Sequence, residues 1–222
     1  APFTRDFSMM SAESYVKDFL IKNFNPKKII VGYDHRFGHS REGNLVLLKS
    51  LIGATVALQE IPAQLIDNAA VSSTKIRNAI INGNVEDAAI MLDRPHAYSA
   101  VVVHGNIIGR TIGFPTANLQ TEDNDILLPG IGIYAVLVSL KDRTFKGMMS
   151  IGYRPTVGHE TNITCEVNLL DFNEEIYGEH LTIQFLKRLR GEEKFESLEA
   201  LKTQIAQDEI NTREVLKGYS IS

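Results

Sequence analysis

The sequence predicts an α/β segment over residues 1–94, followed by an all-β segment over residues 95–222 that closes on a helix. Three observations carry the prediction. Before residue 95, continuous apolar runs such as Ile29-Ile30-Val31 alternate with helical patterns, which is how strands buried on both faces of a parallel sheet read. From Ala100 the period changes to short β-branched or alternating runs between turn-rich segments, the pattern of an antiparallel sheet or a small closed barrel. Near the C-terminus, Leu198, Leu201, Ile205, Val215 and Leu216 recur among Glu, Lys, Gln and Asp at amphipathic helical spacing.

Ser11 can cap a first helix in which Ala12, Tyr15, Val16, Phe19 and Leu20 share one face. Lys28–Tyr33 is expected as a strand, followed by the polar turn Asp34–Gly38, a helix through Asn44–Leu51 and a strand at Thr55–Glu60. Ser72 opens a helical stretch that ends near Gly83, and Val85–Leu92 makes another short helix before the Arg94-Pro95 junction. Strands are then expected at Ala100–His104, Ile133–Ser139, Lys146–Ile151, Thr164–Leu169 and Leu181–Phe185. The last helix is most simply packed against the sheet, although a partner-binding helix has the same pattern.

The balance of 27 acidic against 23 basic residues gives a net charge of −4, which argues against a protein that holds nucleic acid by bulk electrostatics. No apolar run approaches the length of a membrane span, and no signal peptide is visible. Cys165 stands alone, so an internal disulfide is excluded, and a cytoplasmic setting is expected. Its apolar strand context favours a buried packing role over a reactive thiol. His104, His159 and His180 are scattered without the spacing of a metal site, and His35 and His39 are left as candidates for ligand contact with no catalytic role assigned. Self-association is left open.

Residues Gly109 to Asn118 combine glycine, a cation, hydroxyls, an amide and proline more densely than any other stretch. Gly109 and Gly113 allow backbone N–H groups close to a ligand, Arg110 adds charge, and Pro115 stiffens the turn that presents Thr116 and Asn118. An extended backbone puts those two side chains on one face, as a pair of neutral oxygens suited to Mg²⁺. An ordinary loop remains the alternative, because the stretch is neither a Walker loop nor a dinucleotide fingerprint. Glu166 is a carboxylate within an apolar strand. It is a candidate base, or else a solvent-facing residue on the same face as Asn168.

Gly109–Asn118 is followed by Leu128-Pro129, Gly132-Ile133-Tyr134, Ser150-Ile151-Gly152 with Arg154-Pro155-Thr156, and Glu166-Val167 with Asp171-Phe172. Tyr177-Gly178 and Leu189-Arg190 with Phe195 complete the series. In order and spacing this series resembles the riboflavin kinase family from about residue 95 to 222. The resemblance implies a six-stranded Greek-key β-barrel with a C-terminal helix that uses ATP and Mg²⁺ to phosphorylate riboflavin to FMN. It further implies that Glu166 is the base and that Thr116 and Asn118 serve Mg²⁺–ATP, with Gly109, Arg110, Gly113 and Pro115 in the ATP loop. Arg190 and Phe195 would contact the flavin. A flavin- or nucleotide-binding module without turnover is the alternative, and the joint presence of Thr116, Asn118 and Glu166 argues against it.

Upstream, Phe37-Gly38-His39-Ser40-Arg41-Glu42-Gly43-Asn44 and Ser72–Arg77 resemble two motifs of the adenylyltransferase module of bacterial bifunctional riboflavin kinase/FAD synthetases. That module has a Rossmann-like nucleotidyltransferase fold and makes FAD from FMN and ATP. The resemblance assigns Arg41, Asn44, Ser72, Ser73, Thr74 and Arg77 to its nucleotide and FMN site. From spacing alone, Ser72–Arg77 reads equally as an anion site at a helix start or as a simple N-cap with two solvated cations. The family's opening strand and its glycine/histidine-rich loop do not precede Ala1, so the module is expected to be partial. Adenylylation by this chain alone is accordingly not expected.

Overall fold

The computed structural model describes residues 2–63, 65–66, 69–105, 109, 112–121, 125–154 and 162–219. By contact it divides into two compact units, Ala1–Val71 and Ser72–Ser222.

The first unit begins with a short helix α1 (Arg5–Ser8) and a continuous helical stretch of α2 (Ala12–Ser14), a π-helical segment Tyr15–Ile21, and α3 (Lys22–Phe24). Ser11 caps this stretch by accepting from Ser14 N, and Asn25 ends it in the left-handed region at φ 42°. Within the π turn, Tyr15 and Phe19 stack at 5.7 Å between ring centres, while Val16 is buried. Strands β1 (Lys28–Gly32) and β2 (Ala57–Ile61) pair in parallel, and α4 (Leu45–Leu51) lies between them in sequence. Ala12, Val16, Val31, Phe37, Leu48 and Ile52 form the core of this unit. A small antiparallel pair, β3 (Leu65–Ile66) and β4 (Ala69–Ala70), follows.

The second unit opens with α5 (Ser73–Ile81) and α6 (Val85–Leu92). Six strands then make the barrel: β5 (His96–Val103), β6 (Ala117–Gln120), β7 (Gly132–Leu140), β8 (Arg143–Arg154), β9 (Asn162–Leu169) and β10 (His180–Arg190). They close in the order β10-β5-β6-β9-β8-β7, with every pair antiparallel. Strands β7, β8 and β9 form a meander while β6 lies beside β9 instead of β7, which is the Greek-key connection. Tyr134, Val136, Met149, Ile151, Ile183 and Phe185 fill the interior together with their neighbours. The C-terminal helix α7 (Leu198–Val215), capped by Ser197 at Ala200 N, packs against β7, β8 and β10.

The contact division falls at Val71/Ser72, upstream of the junction expected at Arg94-Pro95. The cause lies in α5 and α6. Val85 is fully buried in the barrel's apolar cluster, and Arg188 of β10 donates to Asn82 O at 3.4 Å and to Ile131 O at 2.6 Å. Gly83, at φ 79°, lets this turn approach: a Cβ there would stand 2.7 Å from the Tyr134 hydroxyl.

Candidate active site

Strand β9 alternates. Cys165, Val167 and Leu169 face the barrel core, while Thr164, Glu166 and Asn168 face outward. The outward face is covered. Asn168 is buried and Glu166 half-buried, and both line a cavity of about 450 Å³ whose walls also include Gly109, Thr116, Arg190 and Phe195. Of the alternatives left open by the sequence, Glu166 therefore does not sit on an open wet face.

The segment before β6 is held to this face by two strand residues. Thr116 Oγ1 donates to Glu166 Oε2 at 2.9 Å, and Asn168 Nδ2 donates to the Pro115 carbonyl at 2.7 Å. Asn118 lies opposite Glu166 in the β6–β9 register. Phe114 N and Ile112 N both donate to the Gly109 carbonyl, folding the loop back on itself. A Cβ on Gly109 would lie 2.4 Å from Phe114 O and 3.1 Å from Thr116 Oγ1, so only glycine fits without displacing that turn. Gly113 adopts φ 91°, also a glycine conformation. Arg110 and the Pro155-Thr156 motif lie outside the described residues.

A second cavity of about 310 Å³ is lined by Pro115, Thr116, Asn118, Val102, Gly105 and Tyr177 among others. Thr116 belongs to both cavities. The absence of a side chain at Gly105 makes room for Asn118, whose Cγ would be 2.1 Å from a Cβ there. His104 stacks on Tyr177, one of the lining residues, at 3.9 Å between ring centres.

Arg190 ends β10 and is anchored rather than free. Its Nε donates to both carboxylate oxygens of Asp208 at 3.0 Å, its Nη2 donates to Oδ2 at 2.7 Å, and its Nη1 donates to Gly191 O. Its guanidinium carbon lies 5.7 Å from the centre of the Phe195 ring. Asp208 and Asn168 line the cavity, yet sequence reasoning assigned a role to neither. In the sequence Asp208 reads as one more acid on the polar side of the amphipathic helix, between Gln207 and Glu209, and only its burial against Arg190 marks it.

Among the described residues no group of three or more His, Cys, Asp or Glu could hold a metal ion. A cation at Thr116 and Asn118 would therefore depend on neutral oxygens completed by phosphate and water, a donor set that fits Mg²⁺. Behind the site, burial pushes both the Cys165 thiol and the Tyr98 phenol up, so each stays protonated. Cys165 is buried, in keeping with packing rather than thiol chemistry.

The other motif residues divide between the two units. In the first, Gly38 at φ 74° and Gly43 form a tight loop: Phe37 is buried, and Glu42 Oε1 accepts from Ala12 N at 2.7 Å. Asn44 Oδ1 accepts from Leu47 N, capping α4, while Arg41 is exposed with φ 58°. In the second, Ser72 caps α5 by accepting from Lys75 N, with Ser73, Thr74 and Arg77 exposed on its first turns.

The family model described as riboflavin kinase matches residues 92–216, and that described as FAD synthetase matches residues 1–75. The chain is 36% identical over 211 residues to the bifunctional riboflavin kinase/FMN adenylyltransferase of Listeria monocytogenes, covering 95% of this chain and 67% of the relative. Against the bifunctional enzyme of the same description from Escherichia coli it is 39% identical over 215 residues, covering 96% and 67%. The chain thus spans about two thirds of the length of these relatives. A solved structure from Streptococcus pneumoniae, described as a macrolide-efflux protein, is similar with a TM-score of 0.85 at 35% identity, covering 98% of this chain and 68% of that one.

Proposed function

The chain belongs to the riboflavin kinase family, and we propose that its barrel transfers the γ-phosphoryl group of ATP to the ribityl 5′-hydroxyl of riboflavin with Glu166 as general base. The observation that carries this reading is the shared wall. Thr116 lines both cavities and hydrogen-bonds Glu166, so an acceptor in the larger cavity and a nucleotide in the smaller one would meet at these two side chains. The ribityl oxygen forms the new bond to phosphorus as the bond from phosphorus to the ADP oxygen breaks. Its proton passes to Glu166, and FMN and ADP leave.

Thr116 and Asn118 are the residues that would hold Mg²⁺, whose role when bound is to neutralise charge on the transferring phosphoryl group. The Thr116 proton points to Glu166, which leaves the oxygen's lone pairs for a cation. Pro115 at the smaller cavity and Gly109 at the larger one shape the loop that presents Thr116 between the two substrates, and Phe195 offers an aromatic surface to the isoalloxazine. These substrates fit a cytoplasmic setting. No helix among the described residues is long and apolar enough to cross a membrane.

The test is chromatography of the purified chain incubated with riboflavin, ATP and Mg²⁺, following FMN, FAD and ADP. Metal-dependent FMN with stoichiometric ADP is the expected result. Flavin binding without ADP release from folded protein would leave a binding module instead. FAD in the same assay would report adenylyl transfer, the second activity in the names of the relatives.

A further inference from the structure

One wall of the larger cavity is built from the end of β10, Phe195, and Leu201, Ile205 and Asp208 of α7. Its centre is an ion pair with little access to water: the Asp208 side chain is 2% exposed and that of Arg190 16%. Nε, Nη1 and Nη2 of Arg190 all donate within the protein, to Asp208 and to Gly191 O. Gln204 Nε2 donates to Asp208 Oδ1 at 2.9 Å, fixing the carboxylate from its own helix. Thr212 Oγ1 donates to the Asp208 carbonyl at 2.7 Å.

An arginine held this way has its charge balanced and its plane set. The rigid fork that would grip a phosphate is already satisfied by a carboxylate, and the flat guanidinium lies beside the Phe195 ring. We infer that Asp208 is a positioning residue for the flavin: it orients Arg190 beside Phe195 and cancels its charge, so that the cavity offers a flat wall to the uncharged isoalloxazine. The inference rests on the proposed function for the identity of the ligand. The residue acts through Arg190 and has no part in proton transfer, so its removal should affect flavin binding and spare the chemical step.

The experiment is steady-state kinetics on the whole chain and on Asp208→Asn, varying riboflavin and Mg²⁺–ATP separately, with riboflavin binding followed by quenching of its fluorescence. Asp208→Asn is expected to raise the riboflavin KM and dissociation constant about tenfold, with kcat and the ATP KM within about twofold. Arg190→Leu and Arg190→Leu/Asp208→Leu complete a cycle. Since a buried pair replaced on both sides by apolar groups generally remains folded, the double variant serves if Asp208→Asn does not fold. The double variant should bind riboflavin no more weakly than Arg190→Leu alone. Wild-type riboflavin affinity in folded Asp208→Asn or in the double variant, additive effects in the cycle, or a parallel loss in kcat and ATP KM would each overturn the inference. Absence of FMN formation by the unaltered chain would instead overturn the kinase reading, and the quenching titration would still decide the role of Asp208.

Discussion

Thr116, which lines both cavities, meets Glu166 of the larger one through a 2.9 Å hydrogen bond, hydroxyl to carboxylate. The two residues are 50 apart in sequence, and the β6–β9 register brings them together by setting Asn118 opposite Glu166.

Glu166→Gln keeps the shape and the ability to accept from Thr116 but removes the base. Turnover is expected to fall about a hundredfold or more, while the riboflavin KM changes little. Rapid-quench measurement of FMN formation at saturating substrates checks the first part, and a riboflavin titration checks the second. Normal turnover would remove Glu166 from the chemistry.

Thr116→Val is nearly isosteric and deletes the oxygen shared by the two sites. Turnover is expected to drop about tenfold or more, with half-maximal rate shifted to higher Mg²⁺, whereas Thr116→Ser retains the oxygen and most of the rate. Rates measured across a Mg²⁺ series, with chelator as the zero point, separate the three proteins.

Asn168→Leu leaves the Pro115 carbonyl without its 2.7 Å partner. The expected cost is about 1 kcal/mol of stability, read as a lower urea midpoint at unchanged slope. Because Pro115 precedes Thr116, the ATP KM is expected to rise as well. A change in stability alone would limit Asn168 to a structural role.

His96 gives the barrel a pH dependence. Its Nε2 lies 2.8 Å from the Leu127 carbonyl, its ring stacks on Phe185, and burial holds its pKa below the ordinary value of 6.5. The unfolded chain therefore binds the proton more readily than the folded one. This contribution is complete above the unfolded value of 6.5 and is lost as pH falls from there through the lower folded value. Denaturant midpoints at pH 7.5 and at about pH 5.5 should differ more for the unaltered chain than for His96→Gln, which carries no titrating ring.

Strand patterning made most of the barrel legible, because alternation at Ile133–Ser139 and Thr164–Leu169 is set by a buried face and an outward one. Strand β6 was not read as a strand, since Ala117-Asn118-Leu119-Gln120 has no β-branched residue, and pairing on both sides makes it one. The π-helical turn at Tyr15–Ile21 is not legible either, because its apolar residues satisfy an α-helical period equally well. At the site, Glu166 stood out as a charge in an apolar strand. Asp208 did not, because an acid on an amphipathic helix reads as solvated until Arg190, 18 residues away, is found against it.

Val85 bears on where the polypeptide can be cut. A fragment starting at residue 95 would lose a side chain fully buried in the barrel cluster and would uncover the surfaces of Tyr134 and Arg188 that meet the α5–α6 turn. A fragment starting at Ser72 retains α5, α6 and that seal, along with the residues lining both cavities. The two helices before the first strand are thus the barrel's lid at one end, and a minimal kinase would carry them with it.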